Sequence, residues 1–214
     1  MREHSIKIET TAHYYSLGEL TEKTNEIWVL CHGYGQLAKF FIQKFKSLQK
    51  EGVYIIAPEG FNKFYLKGFS GRVGASWMTK EKRGDEIVDH CRFLEQLTDK
   101  LLKEASTGCE LNVLGFSQGA ATVCRWSLVT KYSFNSFILW AGKIANDFDI
   151  VEFTHKHPKS KNYIVFGNDD GFYTSESVLE YKKELKSFDA EWIQYTGSHT
   201  IEQHTLERIA SKID

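Results

Sequence analysis

The sequence predicts an α/β protein, a single domain over residues 1–214 with a mostly parallel, twisted sheet and helices on both faces. Three observations predict it. Short, wholly apolar runs alternate along the chain with stretches of helical period. The runs have no polar face, as befits strands covered on both sides. Polar, glycine-flanked residues stand just beyond the carboxyl ends of those runs, where open α/β sheets bind ligands.

The elements follow in order. Ile6-Lys7-Ile8 and Ala12 to Leu17 read as two pieces of an antiparallel edge. Ile27 to Cys31 is a buried strand that stops at His32-Gly33-Tyr34-Gly35. A helix follows with Leu37, Phe40, Phe41, Phe45 and Leu48 on one face, and Gly52 ends it. Val53 to Ala57 is the next strand, closed by Pro58. The stretch 59–80 reads as a long irregular loop dense in aromatics and glycines, a pocket lining or a lid. Arg83 to Ala105 returns to helical period. Leu111 to Gly115 is a strand, and the small residues after Ser117 open a helix. Phe137 to Ala141 is a further strand, Asn146 to Lys161 a polar loop, and Tyr163 to Phe166 a strand ending in Gly167-Asn168-Asp169-Asp170-Gly171. A helix over about Ser175 to Phe188, a last strand over Glu191 to Tyr195, the turn Gly197-Ser198-His199 and a helix from about Ile201 to Ile209 complete the chain. No repeat or linker divides it.

Composition excludes several functions. Hydrophobic residues make up 42% and charged residues 26%, and the formal net charge is −1, so the balance offers nothing to a polyanion; no nucleic-acid partner is expected. Lys156, Lys159 and Lys161 form a short cluster that reads as a solvated loop. Met1-Arg2-Glu3-His4-Ser5 lacks an apolar signal core, and no run approaches membrane-spanning length. The expectation is a cytoplasmic protein without stable membrane insertion. Cys31, Cys91, Cys109 and Cys124 match no zinc spacing and read as reduced, packed thiols.

The chemistry collects around Gly115-Phe116-Ser117-Gln118-Gly119. Gly-x-Ser-x-Gly between a strand and a helix sets a serine on a strained bend, and the glycines let strand and helix approach. A serine hydroxyl needs a base, and the base needs a third group to hold its tautomer. His199 follows the last strand and an acidic strand end, giving the order Ser, Asp, His. Asp170, three residues past Gly167, is the better-placed acid, with the adjacent Asp169 the alternative. An oxyanion hole is expected from the N–H groups of Gln118 and Tyr34, the latter in the glycine-rich loop that His32 shapes. Phe64, Tyr65, Phe69, Trp77 and Phe172 are the expected apolar pocket residues. His155 and His157 read as a solvated loop rather than a metal pair, and His90 and His204 as surface or boundary residues. No metal site is expected.

On these residues the chain resembles the phospholipase/carboxylesterase branch of the α/β-hydrolase superfamily, which includes acyl-protein thioesterases. Leu30 to Gly35 is similar to that family's Leu-His-Gly-x-Gly stretch, displaced by one cysteine. Gly115 to Ala120 resembles its elbow, and Gly167 to Asp170 and Gly197 to His199 its acid and base loops. The chain departs from the family pattern at Gln36, where an acidic residue is usual, and at Phe172-Tyr173 after the acid. The resemblance implies an α/β-hydrolase fold and hydrolysis of acyl esters without cofactor. Ser117 would be the nucleophile, His199 the base, Asp170 the acid, and Tyr34 and Gln118 the oxyanion donors. It implies a small acyl ester or lipid-like substrate. The alternatives are a lysophospholipase, an acyl-protein thioesterase, or a catalytically silent binding domain on the same fold.

Overall fold

The computed structural model describes residues 1–213 and holds nine strands among them. They are β1 (Tyr14–Leu17), β2 (Glu26–Cys31), β3 (Val53–Pro58), β4 (Asn62–Tyr65), β5 (Val73–Ser76), β6 (Glu110–Phe116), β7 (Ser136–Trp140), β8 (Lys161–Gly167) and β9 (Glu191–Tyr195). The helices are α1 (Ala38–Phe41), α2 (Arg83–Glu104), α3 (Gln118–Val129), α4 (Ile150–Lys156), α5 (Ser175–Glu184) and α6 (Gln203–Ile213). Seven strands make one sheet in the order β1-β3-β2-β6-β7-β8-β9, and every pairing except β1 with β3 is parallel.

Alternation along each strand divides the core. Ile27, Val29 and Cys31 of β2 face one side, and Trp28 and Leu30 the other. The first side packs under α2, α3, α4 and α5 through Leu94, Leu101, Val123, Trp126, Phe153 and Tyr181. The second packs under α1 and α6 through Phe41, Leu206 and Ile209. Truncating a side chain as buried as Leu206 to alanine costs about 2–5 kcal/mol. Helices on both faces follow directly from strands with no polar side.

Four local expectations are corrected. Ile6 and Ile8 are exposed and outside any strand, because only β1 meets the edge of β3. The helix read over 37–48 is one α-turn, α1, followed by a 3-10 stretch, Ile42–Leu48, kinked at Phe45. The stretch 59–80 is not irregular: β4 and β5 pair as an antiparallel hairpin. The polar loop 146–161 contains α4, whose first N–H groups are capped by the Asp149 carboxylate accepting from Val151 and Glu152.

Among the described residues no helix is long and apolar enough to cross a membrane. The four cysteines are unpaired.

Candidate active site

The end of β6 builds the first part of the site. Ser117 follows Phe116 with φ 53° and ψ −114°, a conformation that costs a non-glycine residue about 1–3 kcal/mol. Its N–H donates to the Trp140 carbonyl at 2.9 Å, and its own carbonyl accepts from Ala120 at 3.0 Å. The flanking glycines are steric requirements. A Cβ on Gly115 would lie 2.4 Å from the Gly119 oxygen, and one on Gly119 would lie 2.1 Å from the Cys31 oxygen. Helix α3 can start this close to β2 only without those side chains.

The turns after β8 and β9 supply the second part. The Asp170 side chain is fully buried, and its Oδ2 accepts from His199 Nδ1 at 2.7 Å. Its Oδ1 accepts from the Phe172 N–H at 3.1 Å. A proton on Nδ1, held by a carboxylate, leaves Nε2 as the ring's acceptor. Asp169 instead points to solvent while its N–H binds the Gly197 carbonyl, so of the two adjacent acids it is Asp170 that meets the imidazole. The His199 ring lies against Phe116, the residue before Ser117, at 4.8 Å between centroids, and against Phe172 at 5.1 Å.

The loop after β2 closes over the serine. A Cβ on Gly33 would lie 3.1 Å from Ser117 Cβ. Gln36 Oε1 accepts the Gly33 N–H at 2.8 Å, so the residue that departs from the family pattern still ties this loop. Gly35 donates to Ala75 at 2.8 Å. Among the described residues the N–H groups of Tyr34 and Gln118 make no backbone hydrogen bond, the latter because it stands at the first turn of α3. His32 is wholly buried. Its Nε2 accepts from Gly60 at 3.1 Å, which leaves Nδ1–H to donate to the Gly33 carbonyl at 2.8 Å. Burial holds its pKa below the usual histidine value, so it braces the loop as a neutral ring.

One connection was invisible in sequence. The Gln118 amide clamps the end of β5: Oε1 accepts from the Trp77 N–H at 3.0 Å, and Nε2 donates to the Met78 carbonyl at 2.9 Å. The elbow thereby fixes the hairpin. The expected pocket residues divide. Phe64 stacks on Tyr34 at 5.0 Å and lines a cavity of about 520 Å³ with it. Phe172 covers His199. Tyr65 and Phe69 stand exposed on the hairpin, Phe69 almost completely, away from that cavity. Trp77 is buried, donating its indole N–H to the His32 carbonyl at 2.8 Å, and supports the wall rather than lining it.

Three histidine expectations meet different fates. His204 is exposed on α6. His157 is buried instead of solvated: Nδ1 accepts from Phe134 at 3.1 Å, and the ring stacks on Phe134 at 4.2 Å. His90 is buried instead of at the boundary, edge-on to Trp77. Among the described residues no group of three His, Cys, Asp or Glu side chains is arranged to hold a metal ion.

A mostly parallel sheet with helices on both faces, and a serine elbow and a buried acid–imidazole pair at its carboxyl edge, define an α/β-hydrolase domain. The chain belongs to the phospholipase/carboxylesterase family, whose pattern matches residues 16–214, and it is an enzyme that hydrolyses ester bonds. Solved structures agree on the fold. Maize acyl-protein thioesterase 2 superimposes with a TM-score of 0.70 at 13% identity, over 95% of this chain and 98% of that one. A phospholipase/carboxylesterase from Dyadobacter fermentans gives 0.68 at 17% identity, over 97% and 98%. The Bacillus cereus carboxylesterase gives 0.67 at 12% identity, over 95% and 93%. No curated protein matches the chain by sequence.

Proposed function

We propose that this single-domain enzyme is a carboxylesterase that works through Ser117, His199 and Asp170. Ser117 Oγ attacks the ester carbonyl while His199 Nε2 takes its proton. The N–H groups of Tyr34 and Gln118 bind the oxyanion. His199 returns the proton to the departing alcohol, leaving an acyl-Ser117 ester. Water deprotonated by His199 then attacks that ester, and the acid and free serine are released. Asp170 stabilises the imidazolium formed in both halves of the cycle.

The observation that carries the reading is the 2.7 Å pair of His199 with a fully buried Asp170, the imidazole packed at a tilt on Phe116 beside the elbow that presents Ser117. Two N–H groups that make no backbone hydrogen bond, that of Gln118 next to the serine and that of Tyr34 next to Gly33, add the electrostatic part, for which one donor is worth about 3–4 kcal/mol of barrier. We read the hairpin β4–β5 and Phe172 as walls of the acyl site. Four unpaired cysteines support a reducing, cytoplasmic setting. The chemistry extends to lysophospholipids and acyl thioesters, and rates across acyl lengths, with thioesters alongside, rank these substrates.

The test is covalent. A fluorophosphonate should label the wild-type protein, and Ser117→Ala should abolish labelling together with ester hydrolysis. Labelling that survives in Ser117→Ala would refute the assignment.

A further inference from the structure

Beside Ser117 and Gln118 opens a cleft of about 450 Å³ whose lining carries Lys80, Arg83, Arg125 and Lys143 and no carboxylate. The chain as a whole has a net charge of −1, so this concentration of positive charge is local. Its members do different things. Arg125 is a wall: its side chain is only 10% exposed, it pairs with Asp147 through two contacts of 3.0 and 2.9 Å, and it reaches Met78 Sδ at 3.1 Å. Asp147 bonds Arg125 and also attracts Arg83 at longer range, beyond ion-pair distance. Lys80, Arg83 and Lys143 are exposed, and among the described residues none lies within ion-pair distance of a carboxylate. Arg83 Nε donates to the Thr79 carbonyl at 3.3 Å, and the Lys143 ammonium sits 5.5 Å over the Tyr181 ring. Both contacts orient a cation without neutralising it.

Like charges gathered around one concavity repel, and the field they make is focused by the low-dielectric walls. An anion seated among them relieves that repulsion and gains charge-assisted hydrogen bonds. Ser117, the proposed nucleophile, lines the same cleft. We propose that the Ser117 site is selective for esters bearing an anionic group, a carboxylate or a phosphate, which Lys80, Arg83 and Lys143 bind next to the scissile bond. This inference rests on Ser117 being the nucleophile.

The experiment compares anionic and neutral esters that share a reacting bond. One arm puts the charge on the acyl side: mono-4-nitrophenyl adipate against its methyl ester. The other puts it on the leaving group: an acylglycerol phosphate against the matching acylglycerol. The readout is the ratio of kcat/KM, anionic over neutral, in each arm. The ratio should exceed one in the arm that matches the natural substrate. It should fall about two- to fivefold in Lys80→Gln and again in Lys143→Gln, the usual worth of an exposed ionic contact. It should also fall with added salt, which screens exposed charges within about 10 Å at 0.1 M. A ratio at or below one in both arms, or one that neither variant nor salt moves, overturns the anion subsite. The nucleophile is tested separately in the same assays: turnover of both esters by Ser117→Ala overturns that reading, whereas its loss with an unselective wild type overturns only the subsite.

Discussion

The indole N–H of Trp140 donates to the Thr200 carbonyl at 2.9 Å, one residue past His199. The carbonyl of the same Trp140 accepts the Ser117 N–H, also at 2.9 Å. One residue at the end of β7 therefore spans the gap between the strand that carries the serine and the turn that carries the histidine. Trp140→Phe removes the indole donor and the second ring of a fully buried side chain, which leaves a small cavity. The Thr200 carbonyl retains the Tyr195 hydroxyl at 2.7 Å, so the turn should loosen rather than collapse. The expected loss, hydrogen bond and cavity together, is about 1–3 kcal/mol of stability. A several-fold fall in kcat with little change in KM should accompany it. Equal losses in kcat and KM on steady-state esters would contradict a positioning role.

Asp170 and Asp169 are neighbours in sequence but not in chemistry, and single substitutions separate them. Asp170→Asn leaves a neutral amide against Nδ1 and favours the wrong tautomer of His199, so kcat should drop by about 10³–10⁴-fold. Asp169→Asn alters an exposed side chain and should stay within about twofold. Parallel kinetics on one ester decide between them.

The Gln118 clamp predicts a loss in both stability and activity. Gln118→Ala strands the Trp77 N–H beside the elbow, whereas the Met78 carbonyl keeps the Ser76 hydroxyl at 2.8 Å, and the cost is about 1–3 kcal/mol. For a chain of this size that lowers the thermal midpoint by several degrees. Gln118→Glu keeps an acceptor for Trp77 and should recover part of the loss. A midpoint unchanged in Gln118→Ala would show that the hairpin is held by its other contacts.

Acid should destabilise the fold through its buried histidines. Burial pushes the pKa of His90 down to about 4, and those of His32 and His157 also lie below the usual histidine value, again chiefly through burial. Between about pH 6.5 and 4 the unfolded chain binds the His90 proton and the folded protein does not. The stabilisation is therefore whole above pH 6.5 and is lost as pH falls toward 4, by an amount on the order of 3 kcal/mol. His90→Met should flatten the dependence of the thermal midpoint on pH across this window. An identical slope in wild type and variant would remove His90 as its source.

Much of the architecture was legible because the central strands β2, β3, β6, β7 and β8 are buried on both faces and the turns of the candidate site are marked by glycine. The positions of Ser117, Asp170 and His199 could be read from their places after β6, β8 and β9, which needs only the chain order. Pairing was harder. The strands β4 and β5 are four residues each and flank a tip rich in glycine, so the stretch resembled a loop until Asn62 met Ser76 across the ladder. His157 and His90 looked solvent-facing because their aromatic neighbours, Phe134 and Trp77, come from distant segments. The basic cleft escaped notice for the same reason. Residues 80, 83, 125 and 143 come from three separate segments, and in the first of them, Lys80 to Glu86, three carboxylates balance three cations.

The hairpin β4–β5 takes its ladder partners from itself, apart from a single bridge between Gln36 and Ala75. The seven-stranded sheet closes without it. Its tip, from Leu66 to Arg72, is exposed to solvent. The hairpin, with the cavity that Phe64 and Tyr34 line, is in this sense an attachment to the sheet and not a part of its frame. Lengthening, shortening or exchanging that tip should leave the seven-stranded sheet, and with it the turns that carry Ser117, Asp170 and His199, where they stand, so the hairpin can vary in this scaffold without disturbing the candidate site.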